Sequence, residues 1–328
     1  SAFADAYLPP GFGQKDEDAS YRAPVGAVSV SFNAVQVTVT PPDEGMADPT
    51  IEMSPPNDYV DLEKHVRTLP GDGQSVSFSS EPIDGRRTRI RVAGAIGADS
   101  EPVSERLRID YPSRFAGSVL ERALEMVGVT VEGDVRRGEV PSGAQALHTD
   151  TSHPLSYAIL AMNKWSNNFM AEQLLRTLGR GEEGAPATWE RARGRVRQFL
   201  VSAGLATDEF ELHNGSGLYE GNAISARNVV RLLVSMSDHR WAPEYLASLS
   251  IAGRDGTLKE RMEDTAAADR LRGKTGTLND VSALSGWVRT QSGRRVAFSI
   301  LLDETPEKGW RYRPVLDAIA VELAEFDG

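Results

Sequence analysis

The stretch Leu271-Arg-Gly-Lys-Thr-Gly-Thr-Leu-Asn-Asp280 decides how this chain is read. Gly273-Lys274-Thr275 is the ending of a phosphate-cradling loop. Lys274-Thr275-Gly276 is equally a piece of strand that presents a lysine and a threonine to a cleft. A Walker loop requires Gly-x-x-x-x-Gly-Lys-[Ser/Thr], and position 268, where its first glycine belongs, holds Ala268. Such a loop also opens a helix whose first amides hold phosphate. After Thr277 the chain instead makes a turn, Leu278-Asn-Asp280, and enters a strand-like run. Both requirements fail, so the strand reading is kept.

The sequence around this stretch supports it. Val281–Val288 and 294–303 are mixed apolar runs separated by Thr290-Gln-Ser-Gly293, which predicts a hairpin of buried strands. Pro314 opens a closing helix that carries Val315, Leu316, Ile319 and Leu323. Upstream the period is helical: Leu155, Ile159 and Met162 mark one helix, and Phe169, Met170, Leu174, Leu175 and Leu178 a second. Trp189, Ala192, Val196, Phe199 and Leu200 mark a third helix, closed by Gly204. A fourth runs from an N-cap at Ser225 through Val229, Val230, Leu233 and Met236. Helices, then an antiparallel hairpin, then a closing helix imply an α+β domain with helices packed on a sheet.

The first third differs, being rich in Pro, Gly and Ser with short alternating runs. Val28, Val30 and Phe32 share one face and Val35, Val37 and Val39 the next, so a turn or bulge between two strands is expected near Asn33-Ala34. Alternation returns at 87–93 and 107–110, and Phe115, Val119, Leu120, Leu124 and Val127 predict a helix stopped by Gly128. With 36 basic against 47 acidic residues the net charge is −11, and there is no long Lys/Arg run, so nucleic acid is not an expected partner. The absence of Cys removes disulfides and thiolate chemistry. No apolar run approaches the ~18 residues of a membrane span. The start, SAFADAYLPPGF, lacks the form of a secretory leader: either the chain works in the cytoplasm or its beginning has been removed.

A cleft lysine on a strand needs partners. Serine acyl-transfer enzymes combine Ser-x-x-Lys, Ser-x-Asn and Lys-Thr-Gly. A serine hydroxyl is a weak nucleophile that needs a base beside it, and backbone N–H groups stabilise the oxyanion that develops. Ser166-Asn-Asn168 supplies the second motif, on the turn that opens the second helix. Each residue also has a plainer reading. Ser166 caps a helix beginning at Asn167, Lys274 is an exposed strand lysine, Asn168 is a turn residue, and Thr275 and Thr277 are ordinary strand threonines. Lys274 sits between Gly273 and Gly276, and glycine lets a substrate backbone approach, which favours the cleft. Ser216 does not satisfy Gly-x-Ser-x-Gly, because Asn214 and Leu218 stand where glycines are required. The five histidines (65, 148, 153, 213 and 239) form no His-x-x-x-His pair, so no metal and no other cofactor is expected.

Taken together, residues 152–175, Asn214-Gly-Ser-Gly-Leu218, Ile224-Ser-Ala-Arg227, Ala252-Gly-Arg-Asp-Gly-Thr-Leu258 and Arg272-Gly-Lys-Thr-Gly-Thr277 resemble the low-molecular-mass penicillin-binding D-alanyl-D-alanine carboxypeptidase/endopeptidases. Leu8-Pro-Pro-Gly11 and Ala23-Pro-Val-Gly-Ala-Val28 resemble that family's inserted region; Asn214 stands where the family has aspartate. The resemblance implies a β-lactamase/transpeptidase-like domain, an antiparallel sheet with packed helices, plus β-rich inserted domains. The division it implies is 1–20 as a remnant of an inserted domain, 21–111 as a β-rich inserted domain, 112–145 as the remainder of the insert, and 146–328 as the C-terminal part of the catalytic domain.

It further implies Ser166 and Lys274 as catalytic residues, with Asn168, Thr275, Gly276, Thr277 and Ser216 binding substrate. The amide of Thr277 would supply half of an oxyanion hole. The substrate would be the D-Ala-D-Ala end of a peptidoglycan stem peptide, with β-lactams as inhibitors and an extracytoplasmic, exported location. No serine in the chain is followed three residues later by lysine. The expectation is therefore that the chain starts inside the insert, with nucleophile, base and export signal on a preceding segment of the same protein. Two other readings remain: a nucleophile-free cell-wall binding protein, and a cytoplasmic hydrolase using Ser216 and His213.

Overall fold

The computed structural model describes residues 2–4, 7–14, 18–43, 47–136, 138, 140–219 and 221–327. They fall into two compact units, Ser1–His148 with Glu182–Pro186, and Thr149–Gly181 with Ala187–Gly328.

The first unit contains β1 (Ala34–Thr40), β2 (Thr50–Ser54), β3 (Val60–Leu69), β4 (Ser77–Ile83), β5 (Arg87–Gly97), β6 (Val103–Arg108) and α1 (Pro112–Met126). β1 is the centre of an antiparallel sheet, β2-β1-β6, and β5 the centre of a second, where it pairs parallel with β3 and antiparallel with β4. Period-2 alternation sends Val35, Val37 and Val39 into a common core with Ile90, Val92, Ile96 and Phe115. The expected earlier strand at Val28–Phe32 does not form. Ser31, Phe32 and Asn33 all have positive φ, and buried Asn33 donates to the Pro24 carbonyl at 2.8 Å and the Ser29 hydroxyl at 3.0 Å. Those bonds hold a left-handed turn, and Val28 and Phe32 stay exposed. In α1 Phe115 is buried but Leu120 is exposed, as is Val127 at its C-cap.

The second unit contains α2 (Leu155–Trp165), α3 (Asn168–Leu178), α4 (Trp189–Ser202), the two-residue strands β7 (Phe210–Glu211) and β8 (Ala223–Ile224), α5 (Ala226–Ser237) and α6 (Ala242–Ser248). Then come β9 (Ser250–Ile251), β10 (Leu271–Thr277), β11 (Ser282–Arg289), β12 (Arg295–Leu302) and α7 (Arg313–Glu325). As expected, Ser225 caps α5, its hydroxyl accepting from the Asn228 amide at 3.1 Å. The sheet is antiparallel throughout, in the order β12-β11-β10-β9. On one face Leu271, Leu284, Val288 and Phe298 pack on Leu316, Ala320 and Ala324 of α7. On the other, Trp287 packs with Leu233 of α5 and with Leu249.

α7 therefore buries Leu316 and two alanines, while the expected Val315 and Ile319 are more than two-fifths exposed. Helical periodicity alone does not rank small against large apolar residues, and here alanines form the helix face that meets the sheet. Gly286 lies opposite Gly273 in the β10–β11 register, and a Cβ on Gly286 would strike the Arg272 carbonyl. Gly273 is less constrained: its Cβ would sit 3.1 Å from the Ser285 carbonyl, a tight contact. The missing side chain at Gly286 thus serves the close approach of β10 and β11.

Candidate active site

α2 ends and α3 begins within three residues, and this corner positions Ser166. Ser166 is the C-cap of α2 in the left-handed conformation (φ 51°, ψ 47°), with its amide donating to the Met162 carbonyl. A non-glycine residue there is uncommon and marks a position held by its surroundings. The N-cap of α3 is Asn167, whose side chain accepts from the Met170 amide at 2.9 Å. The plain capping reading of Ser166 thus fails, because its neighbour does that work. The Ser166 hydroxyl is exposed and accepts a hydrogen bond of 2.7 Å from Lys274 Nζ, 108 residues away.

Lys274 is half-buried in the middle of β10. Its ammonium also donates to the Thr275 carbonyl at 2.8 Å. No carboxylate lies within ion-pair distance among the described residues, and burial pushes its pKa down to about 8. The Thr275 hydroxyl donates to that of Thr257 at 2.9 Å. At the end of the strand Arg313 Nη2 approaches the Thr277 hydroxyl at 3.4 Å, which adds a second cation. β9 pairs with β10 only at Arg272 and Gly273, so from Lys274 to Thr277 no described strand pairs on that side.

The corner rests on an ion pair between a buried lysine and a partly exposed aspartate. Lys164, 8% exposed, donates to the Leu249 carbonyl at 2.6 Å and to the Asp255 carboxylate at 2.6 and 2.8 Å. Asp255 also accepts from the Ile251 amide at 2.8 Å, and the Ser250 hydroxyl accepts from the Thr257 amide at 3.2 Å. Gly256 has positive φ, and a Cβ there would meet both Ser250 Oγ and the Lys164 carbonyl at 2.7 Å. Only glycine fits this loop.

A second buried carboxylate holds the Asn214–Leu218 loop. Glu172 of α3 accepts from the Gly215 amide at 3.0 Å, the Ser216 amide at 2.8 Å and the Ser216 hydroxyl at 2.6 Å, and burial raises its pKa. Asn214 is buried, accepting from the Gly217 amide at 2.9 Å and donating to the Leu218 carbonyl at 2.9 Å. The Ser216 hydroxyl is thus directed at Glu172. His213 instead approaches Glu211 at 3.6 Å, and the two residues form no described nucleophile–base pair.

A sequence model of the D-Ala-D-Ala carboxypeptidase 3 (S13) family matches residues 1–323. The chain belongs to that family. A D-alanyl-D-alanine carboxypeptidase of Actinomadura sp. (strain R39) is 37% identical over 329 residues, which is 96% of this chain and 60% of that protein. The chain therefore spans less than two thirds of that relative's length. Penicillin binding protein 4 of Haemophilus influenzae superposes with a TM-score of 0.79 at 20% identity, covering 99% of this chain and 74% of that one. The same Haemophilus protein complexed with a novel β-lactam superposes with a TM-score of 0.74 at 20% identity, covering 95% and 73%. The expected fold and the low-molecular-mass penicillin-binding family are both shown.

Of the residues singled out in sequence, this S13 chain brings Ser166 to Lys274 in the middle of β10, with Thr275 and Thr277 following on the same strand. Asn168 is half-buried at the start of α3, and a Cβ on Gly276 would meet only Ala283, at 3.4 Å. Ser216 lies in the loop held by Glu172. Lys164, Asp255, Glu172, Thr257 and Arg313 were missed. A charged residue at an inward helical position, as at Lys164 and Glu172, is the signal that finds the first and third. Nothing local points to Thr257 or Arg313. Among the described residues no cluster of His, Asp and Glu is placed to hold a metal, and no helix is long and apolar enough to cross a membrane.

Proposed function

We propose that this chain is the larger part of a serine D-Ala-D-Ala carboxypeptidase/endopeptidase that works on peptidoglycan stem peptides through an acyl-enzyme and is blocked by β-lactams. The observation that carries the reading is the 2.7 Å contact between Lys274 and Ser166, made by a lysine with no carboxylate partner among the described residues. A desolvated ammonium without counter-charge attracts the terminal carboxylate of a substrate. Thr275, Thr277 and Arg313 supply donors beside it. The open side of β10 from Lys274 to Thr277 accepts the substrate backbone as an added strand.

In the reaction, a serine hydroxyl attacks the carbonyl of the penultimate D-alanine and its proton passes to a lysine base. The C–N bond breaks, the leaving amine takes a proton from Ser166, and Lys274 restores it. Water then hydrolyses the ester. We assign the attacking serine to polypeptide outside these residues, because no Ser-x-x-Lys occurs within them. We likewise assign residues 21–111 to an inserted β-rich domain, residues 146–328 to the catalytic domain, and the whole protein to an exported, extracytoplasmic location. The β-lactam bound to the Haemophilus relative supports the inhibitor class.

Labelled penicillin tests this on the full-length protein. A covalent adduct on a serine outside residues 1–328, formed more slowly in Lys274→Ala, is expected. A folded full-length protein that forms no adduct overturns the enzyme and favours a nucleophile-free cell-wall binder, the reading that the missing Ser-x-x-Lys motivates.

A further inference from the structure

At the end of β10 remote from Thr277, the register gathers arginines. Arg289 and Arg295 are direct cross-strand partners on β11 and β12, and the Arg289 amide donates to the Arg270 carbonyl at 3.2 Å. The row therefore continues onto the residue before β10. Two positions along, Arg272 lies directly opposite Trp287. Residues opposed across a ladder share a face, as do residues two apart on one strand. All four guanidinium side chains and the indole line a single cavity of about 530 Å³.

Like charges directly opposed on neighbouring strands repel. A carboxylate normally relieves this, yet none of the four arginines has one within ion-pair distance among the described residues. Asp269, the acidic residue in the cavity wall, is held by Arg254 at 2.5 Å. Trp287 is only 8% exposed, and its indole N–H is buried without a hydrogen-bond partner. Arg295 stacks on that ring at 4.9 Å, which keeps the N–H edges of its fork free for a ligand. Four unpaired arginines in one cavity of a chain with net charge −11 are not explained by overall composition.

We propose that this cavity binds a multiply charged anion carrying phosphate groups, at a site separate from the cleft at Lys274. One carboxylate leaves most of the repulsion standing. Two linked phosphate groups supply both the charge and the paired oxygens that guanidinium forks engage bidentately. The shared chemistry fits a free diphosphate and a phosphodiester polymer of the wall alike. The inference does not rest on the acyl-transfer reading.

Isothermal titration of the full-length protein at constant ionic strength tests it, with inorganic pyrophosphate and a short poly(glycerol phosphate) as the two probes. Pyrophosphate is expected to bind at one site, weakening as salt rises, and Arg289→Gln/Arg295→Gln to lose at least ~10-fold in affinity. Arg270→Gln, exposed and outside the strands, gives a smaller loss and serves if the double variant misfolds by circular dichroism. Tighter binding of the polymer than of pyrophosphate points to a wall source and the reverse to a free one, and both support the site. No binding by either probe below about 1 mM, or equal binding by wild type and variants, overturns it. Labelled penicillin is expected to react alike with wild type and the double variant. If it reacts with neither, the acyl-transfer reading fails while the anion site stands or falls on its own titration.

Discussion

Lys164 and Lys274 sit in the same unit and are both desolvated, but their surroundings differ. Lys164 meets a backbone carbonyl and both oxygens of Asp255, so its charge is balanced from within the chain. Lys274 has a hydroxyl and a carbonyl and no carboxylate, and burial pulls its pKa down to about 8. A buried cation that has its counter-ion braces the structure around it. One that lacks a counter-ion weakens its own fold slightly and is ready to receive an anion from outside.

The largest effects test this contrast directly. Asp255→Ala leaves the buried Lys164 ammonium with only the Leu249 carbonyl, and is expected to cost ~2–3 kcal/mol, less than for a fully buried pair because the carboxylate is partly exposed. Lys274→Ala is expected to cost at most about 1 kcal/mol, because it removes a charge that had no partner. Denaturant unfolding followed by tryptophan fluorescence reads both, since all five tryptophans lie in the second unit. Equal losses would erase the distinction between the two lysines. The order reverses for chemistry: Lys274→Ala is expected to slow acylation of the full-length protein by labelled penicillin ~10²–10³-fold. A rate within a factor of two of wild type would remove Lys274 from the mechanism.

Glu172 sharpens the comparison as a buried carboxyl group satisfied by hydrogen bonds instead of by a cation. Glu172→Ala strands two amides and the Ser216 hydroxyl, with an expected loss of about 1–3 kcal/mol. Its folded pKa is raised, so its share of stability is complete below the unfolded carboxyl value and lost as pH rises through the folded one. Glu172→Gln should flatten that slope, which unfolding curves across the acid range measure. The smallest effect concerns Lys274 itself. It is an ammonium below pH about 8, so the affinity for a ligand carrying a carboxylate falls as pH rises through that value. Lys274→Arg should abolish the fall, and isothermal titration with a D-Ala-D-Ala peptide checks it.

Much of the second unit was legible because its signals are local. The apolar spacing of α2 to α5, the Ser225 cap and the 282–302 hairpin each declare themselves within a dozen residues. The first unit was harder. β2 and β4 are largely polar, and their pairing comes from β1 and β5, so no strand signal is concentrated within them. Val28–Phe32 alternates like a strand and is overridden by the side-chain bonds of Asn33. At the site, Ser166 and Lys274 could be named from short motifs. Lys164, Asp255 and Glu172 could not be assigned work, since a charge at an inward position has meaning only once its partner 43 to 91 residues away is known.

The sequence by itself determined the family, the α+β layout of the second unit and the candidates Ser166 and Lys274, because the order and spacing of short motifs survive without coordinates. Only the tertiary structure decided that Lys274 reaches Ser166 across 108 residues with no carboxylate to balance it. It also decided that three arginines from three strands, with Arg270 just before β10, share one cavity. Both facts depend on strand register and on desolvation, which arise only when distant segments pack.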